Sequence, residues 1–344
     1  MGRVMAGWER YKRQITFEGI GEEGQRKLSE ARVCIIGVGA LGTIIANSLC
    51  RAGVGFLRVI DRDHVEETNL QRQILFTERD VAECLPKAVA AANHLSSANS
   101  SITIESVVDD VNASNIERFI GDVDLVMDGS DNFETRFLIN EACDKHKIQW
   151  IYGGVVASGG ATMNVLMEDD TPCFRCFMPE MPEAGAYPTC NTVGVINPIT
   201  GIVASYQAAE AMKILTGADG VSRHYLALDV WENISSYIEV EKNPDCPVCV
   251  RGEYALLDSP VASYAASLCG QDSWQIIPEG RRSADFDALA DRLARLGEVK
   301  VTKFLMRFDG DGVSFRLFPD GRAMIDGAED ESAARRIYAE YIGA

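Results

Sequence analysis

Positive charge is what this sequence is short of. Its 344 residues carry 33 Lys and Arg against 51 Asp and Glu, a net charge of −18. That balance excludes a broad basic face of the kind that grips nucleic acid backbones. Small anionic ligands remain open, because a few local cations and backbone N–H groups can hold a phosphate inside an acidic protein. Histidine is equally scarce. His64, His94, His146 and His224 are the four, and none lies at ligand spacing from another, so each reads as a surface or helix-end residue. The first eight residues lack an apolar stretch and run into charged residues 9–13, which is no secretory signal and predicts a thiol-reducing, cytoplasmic setting. Long hydrophobic runs are also missing. The uncharged stretches 33–50 and 184–209 are interrupted by Gly37, Gly39, Gly42 and Asn47, and by Pro188, Asn191, Asn197 and Pro198. Both read as buried segments, with no membrane span. No repeat or low-complexity tract occurs.

What is present is an ordinary globular composition, 47% hydrophobic and 24% charged, enough for about two domains. A β-branched run at 32–36 precedes Gly37-Val38-Gly39-Ala40-Leu41-Gly42, a helical segment over 43–51 and a strand over 56–60 ending at Asp61. This is a βαβ unit. Helix 87–95, strand 102–107, strand 124–128, helix 134–146 and a strand opening at 150 continue the alternation. The pattern predicts a doubly wound, mostly parallel, Rossmann-like α/β sheet. It changes after residue 155. An antiparallel strand over 162–167, a Pro- and Gly-rich loop over 178–187, a helix from Asn197 (as N-cap) to about 215, and strands 225–230 and 236–240 form an antiparallel extension. Residues 1–250 then make one domain and 251–344 a small α+β module. That module has strands at 274–277, 300–308, 313–318 and 323–325 and helices at 285–296 and 331–341.

The G-x-G-x-x-G turn sits after a strand and opens a helix, so its N–H groups face a phosphate site. Asp61, 24 residues beyond Gly37, is placed to accept hydrogen bonds from ribose hydroxyls. Taken alone, this reads as an adenine nucleotide site, with NAD the obvious ligand. The residues that follow argue against hydride transfer. Asp63, Asn69, Arg72, Gln73 and Lys87 cluster after the second strand, and their cations suit a triphosphate better than a dinucleotide. Asp131, at the end of a buried strand, is a reasonable Mg²⁺ ligand.

Cys173-Phe174-Arg175-Cys176 and Cys246-Pro247-Val248-Cys249 form two C-x-x-C pairs separated by 69 residues. Each pair offers two thiolates from one turn, and together they make a closed Cys₄ zinc site with no catalytic position. The alternatives are a redox dithiol or a vacant site. Cys190, in a mobile-looking loop before a helix start, is a candidate nucleophile with a bystander role as the alternative. Cys34, Cys50 and Cys143 fall in strand or helix patterns and read as core. Cys84 and Cys269 have no assignment, although a persulfide-carrying role is one option for Cys269.

The stretches RYKRQITFEGIGEEGQRKL, GVGALG, DRDHVEETNLQRQ, LPKA and DGSDNFETR, in that order, resemble the MoeB/ThiF/HesA family, prokaryotic relatives of ubiquitin-activating enzymes. The resemblance spans about residues 10–249, and the paired C-x-x-C belongs to it. It implies adenylation: the C-terminal glycine of a small ubiquitin-like sulfur carrier ending in Gly-Gly, of the MoaD or ThiS type, attacks the α-phosphate of Mg-ATP. By motif position Asp61 would hold the ribose. Asn69, Arg72, Gln73 and Lys87 would hold the phosphates. Asp131 would bind Mg²⁺, with Asn132 beside it. Arg13 resembles an arginine that reaches into the partner subunit's ATP site, which implies a homodimer. Some relatives use a cysteine at the position of Cys190 covalently and others do not. A sulfurtransferase or cysteine desulfurase would act downstream. Cys84-Leu85 before Pro86-Lys87 departs from the family's usual small or polar pair. The alternatives are another carboxylate acceptor for the same chemistry, or a non-catalytic nucleotide-sensing scaffold. The C-terminal module reads as a docking or dimerisation element.

Overall fold

The computed structural model describes residues 7–182, 190–259, 265–267, 273–278, 284–310 and 312–343. The chain divides into two compact units, 1–259 and 260–344. In the first, a 3-10 turn leads into α1 (Lys12–Thr16) and α2 (Gly21–Glu30), and then β1 (Arg32–Ile36), α3 (Ala40–Ala52) and β2 (Phe56–Ile60). Next come α4 (Glu78–Ala82), α5 (Lys87–Ala98), β3 (Thr103–Val107), α6 (Ile116–Ile120), β4 (Leu125–Asp128), α7 (Phe133–His146), β5 (Gln149–Val156) and β6 (Gly159–Val165). The unit ends with α8 (Phe174–Phe177), α9 (Cys190–Val193), α10 (Asn197–Thr216), β7 (His224–Asp229) and β8 (Ile234–Glu239).

One eight-stranded sheet runs β3-β2-β1-β4-β5-β6-β7-β8. The first five strands are parallel and the last three add on antiparallel, as the sequence predicts. Alternate residues of the buried strands serve two cores. Val33, Ile35, Leu57, Val59 and Met127 face α3, α5 and α10. Cys34, Ile36, Ile60, Val126 and Trp150 face α6, α7 and the 173–177 turn. A strand buried on both faces must be apolar along its buried length, which is why 33–36 reads as an unbroken run. Strand order reverses between β1 and β4, so their C-terminal ends open a crevice, the usual ligand position in such sheets. Cys34, Cys50 and Cys143 are buried, as expected of core residues.

Two local expectations change. Asn197 is the first helical residue of α10 rather than its cap, with Ile196 in the N-cap position and Pro198 in the first turn. The Asn197 amide instead donates to the Gln71 carbonyl at 2.9 Å. His64 is buried rather than exposed, because residues 64 and 86 form a β-bridge under the crevice.

The second unit is an α+β fold. Its elements are β9 (Ala265–Ser267), β10 (Ser273–Ile276), α11 (Phe286–Leu293), β11 (Glu298–Val301), β12 (Met306–Gly310), β13 (Val313–Leu317), β14 (Ala323–Asp326) and α12 (Glu331–Ile337), with a terminal π-turn (Tyr338–Ile342). The six strands run β11-β12-β13-β14-β10-β9, and all their pairings are antiparallel. The single strand read over 300–308 is a hairpin. Thr302 breaks it, because its hydroxyl accepts from the N–H groups of Phe304 and Leu305 and forms a local turn. Cys269 lies outside the described residues.

Candidate active site and metal centre

Gly37 leaves β1 with φ +87°, a left-handed conformation that favours glycine. A Cβ on Gly42 would stand 1.9 Å from the Gly37 carbonyl oxygen, so α3 can press against the turn only with glycine there. Gly39 differs. The nearest side chain to a Cβ at that position is Gln73, 3.9 Å away, and the space above the turn is open. No side chain caps α3, so its first N–H groups point into that opening.

Asp61 ends β2. Its carboxylate accepts from the Val38 N–H at 2.7 Å and from the Asp63 N–H at 2.8 Å, which ties β2 to the glycine turn. Lys87, at the start of α5, is buried; its ammonium bonds Asp63 at 3.0 Å, and its N–H bonds the Asp63 carbonyl at 2.8 Å. Burial acts to lower the Lys87 pKa, but Asp63, Asp61 and Asp131 outweigh it and hold the ammonium protonated. Burial acts to raise Asp63, yet Lys87 and Arg62 keep its carboxyl well below the usual range. Asp61 is raised by burial, against the pull of Lys87.

Residues 69–73 form the turn that brings Gln73 beside Gly39. Asn69 is buried and trades reciprocal caps with Glu66. Arg72 is half-buried and donates to the Thr68 carbonyl at 2.9 Å. Gln73 is 4% exposed, and its Oε1 has no partner among the described residues. A buried amide oxygen left unpaired beside an open glycine turn suits a bound polar ligand.

Asp131 follows β4 and is exposed. Its charge reaches Lys87, Arg62 and Arg136, which places it beside the same crevice. Asn132 caps α7 by accepting from the Thr135 N–H at 2.8 Å. Mg²⁺ is bound through one or two carboxylates plus phosphate oxygens, and Asp131 offers one such carboxylate.

Elsewhere in this unit, the sulfurs of Cys173, Cys176, Cys246 and Cys249 all lie within 4.8 Å of one another. The pairs 173–246, 176–249 and 173–176 are 3.6, 3.5 and 3.9 Å apart. Tetrahedral Zn²⁺ with Zn–S near 2.3 Å requires S···S edges of about 3.8 Å, so the donor set fits zinc and leaves no open position. Asn140, fully buried on α7, fixes the first turn by accepting from the Phe174 N–H at 2.9 Å and donating to Cys173 Sγ. Phe174 is itself clamped among Phe137, Trp150 and Tyr152.

Residues 11–248 match the ThiF family. The chain belongs to the ThiF family. The sulfur carrier protein ThiS adenylyltransferase of Bacillus subtilis (strain 168) is 42% identical over 339 residues, 97% of this chain and 99% of that protein. The SAMP-activating enzyme E1 of Haloferax volcanii is 38% identical over 245 residues, 71% of this chain and 89% of that protein. Escherichia coli MccB, solved with ATP, shares the fold, with a TM-score of 0.62 at 21% identity over 71% of this chain and 75% of that one. The Bacillus relative thus spans the second unit as well as the ThiF-family region.

One expected residue stands apart from the crevice. Arg13 is exposed on α1. Gln14, its neighbour, donates to the Ala52 carbonyl at 2.9 Å, and Tyr11 packs on Gly53, so the segment is fastened to the C-terminal end of α3. The glycine turn lies at the other end of that helix, about 20 Å away for its 13 residues. The backbone of Cys190 opens α9, and its side chain lies outside the described residues. Sequence reading also overlooked two groups. Buried Asp128 and Arg136 wire the 128–131 loop, and their only signal was an Asp and an Arg flanking the loop in DGSDNFETR. Among the described residues no helix is long and apolar enough to cross a membrane.

Proposed function

We propose that this chain adenylates the C-terminal glycine of a small ubiquitin-like sulfur carrier protein, using Mg-ATP. The observation that carries this is the crevice itself: an open glycine turn, a protonated Lys87 paired with Asp63, and the buried amide of Gln73, in a chain that matches a ThiS adenylyltransferase over nearly its whole length. A terminal carboxylate oxygen of the carrier attacks the α-phosphorus. The bond from that phosphorus to the bridging oxygen breaks, and pyrophosphate leaves with the electron pair. The nucleophile is already ionised, so no general base is required. The protein's work is positioning and neutralising phosphate charge.

In this reading Asp61 orients the ribose, and the turn from Gly37 through Gly39 and Ala40 to Gly42 seats the phosphates. The side-chain N–H groups of Asn69, Arg72 and Gln73 donate to the phosphate oxygens, and Lys87 sits nearest the α-phosphate. Asp63 keeps Lys87 aimed. Mg²⁺, held at Asp131 beside Asn132, would neutralise the phosphate oxygens of the leaving group. Zinc on the four cysteines fastens two distant turns and takes no part in the reaction. Arg13 cannot reach its own crevice from the far end of α3, which supports a homodimer in which it serves the partner's site. Cys190 is the candidate acceptor for the activated carrier. A sulfurtransferase or cysteine desulfurase supplies sulfur afterwards, in the cytoplasm.

ATP–pyrophosphate exchange tests the reading. Labelled pyrophosphate enters ATP only when a carrier ending in Gly-Gly and Mg²⁺ are both present. Absence of exchange with every such carrier sinks it.

A further inference from the structure

Asp131 is an exposed residue, yet the chain on both sides of it is fixed. Before it, the carboxylate of Asp128 accepts from the Ser130 N–H at 2.9 Å and the Ser130 hydroxyl at 2.6 Å. Gly129 is pressed against Gly37 and Gly42, where a Cβ would stand 2.4 Å from the Gly37 carbonyl oxygen. After it, Asn132 is committed to capping α7. Arg136, one turn into α7, joins the two sides. Its Nε donates to Asp128 at 3.1 Å, and its Nη2 donates to the Ser130 carbonyl at 2.9 Å and the Gly153 carbonyl of β5 at 3.1 Å. The guanidinium lies 5.3 Å from the Phe133 ring centroid and 5.2 Å from that of Tyr152, and the residue is 6% exposed. Asp128 is fully buried, so it needs a cation beside it.

We propose that Arg136 is a positioning residue for Asp131, closing a ring through residues 130–136 and anchoring that ring to β5. The inference rests on the adenylation reading above, in which Asp131 carries the magnesium ion. The ring fixes the backbone from which this solvent-facing carboxylate projects. Its backbone is set by three acceptors spread over one planar donor group, and only a guanidinium can bond all three at once. Lysine would keep the charge that Asp128 requires but would reach one acceptor as a point charge. The fold would then stand while the loop loosened.

The test uses the zinc-loaded full chain and Arg136→Lys, with ATP binding measured by calorimetry across a Mg²⁺ titration. ATP affinity at saturating Mg²⁺ should change less than about threefold, while the Mg²⁺ concentration giving half-maximal binding rises at least about fivefold. In exchange assays kcat should fall at least about tenfold with KM for ATP nearly unchanged, since small misplacements cost rate more than binding. Ser130→Ala, which removes one bond to Asp128 and leaves Arg136 in place, should move the Mg²⁺ requirement in the same direction by less. A purely structural arginine would lower the thermal midpoint and leave the Mg²⁺ requirement and kcat per folded molecule unchanged; that result overturns the inference. If the parent binds Mg-ATP but exchanges with no carrier, the adenylation reading fails, and the Mg²⁺ titration still decides the role of Arg136.

Discussion

At the scale of single residues, Lys87 carries the most contradictory burdens. It is a buried cation whose pKa is raised because three carboxylates surround it. Lys87→Met should lower pyrophosphate exchange at least about 100-fold. It should also change the pH dependence of stability. In the parent, Asp63 sits below its ordinary pKa, so its contribution is present at neutral pH and fades as the pH falls through that range. Without the ammonium, Asp61 loses the cation that offsets its burial and Asp63 loses the main pull that holds it low, so both shift upward, a cost that acidification removes. The gap in thermal midpoint between variant and parent should therefore narrow from pH 7 to pH 5; a constant gap would mean the pair is not coupled. The glycines give a paired test. Gly42→Ala forces backbone against backbone at 1.9 Å and should destabilise by about 2 kcal/mol or more. Gly39→Ala meets open space, so its midpoint should stay within about 3 °C of the parent. Its ATP affinity, read by calorimetry, should fall about tenfold as the Cβ enters the phosphate space. Unchanged affinity would mean that phosphate lies elsewhere.

At the scale of elements, α7 does the most connecting. Its first turn carries Asn132 and Arg136 at the crevice, its middle carries Asn140 at the cysteine cluster, and its last turns carry Glu141 and Asp144. Glu141 accepts from the N–H groups of Leu256 and Leu257, and Asp144 accepts from the Tyr254 hydroxyl, so residues 254–257 pack on this helix within the first unit. The two cysteine turns are short and have little regular structure of their own, and a zinc ion on the four sulfurs would close them. Purified protein should hold about one zinc per chain, and stripping it should lower the thermal midpoint by about 10 °C or more. Clearly less than one equivalent, measured by metal analysis, would contradict the zinc assignment.

At the scale of the whole molecule, the placement of Arg13 far from its own crevice makes a prediction about assembly. Arg13→Ala and Lys87→Met should each be inactive alone. Mixed, they should recover about a quarter of the parent exchange rate, because half of randomly paired dimers then hold one complete site. No recovery would mean that the arginine serves its own subunit or no site. The second unit has its own core of Met306, Phe308, Phe315, Leu317 and Ile325 under two helices, as the α+β pattern of the sequence suggested. It is shared along the length of the Bacillus relative.

The sequence by itself determined the parallel strands, the glycine turn, the cysteine pairs and the acid–cation cluster. Each is written in local pattern: unbroken apolar runs, fixed spacings, and charges gathered within a few dozen residues. Only the tertiary structure decided that Asn197 pins the 69–73 turn instead of capping its helix, that Thr302 splits a strand, and that His64 is buried. It alone joined Asp128 and Arg136 to Gly153 and set Arg13 at the wrong end of α3 for its own site. The reason is physical. A side chain's partner depends on which distant segments packing brings within about 3 Å, and no periodicity in the chain records that distance.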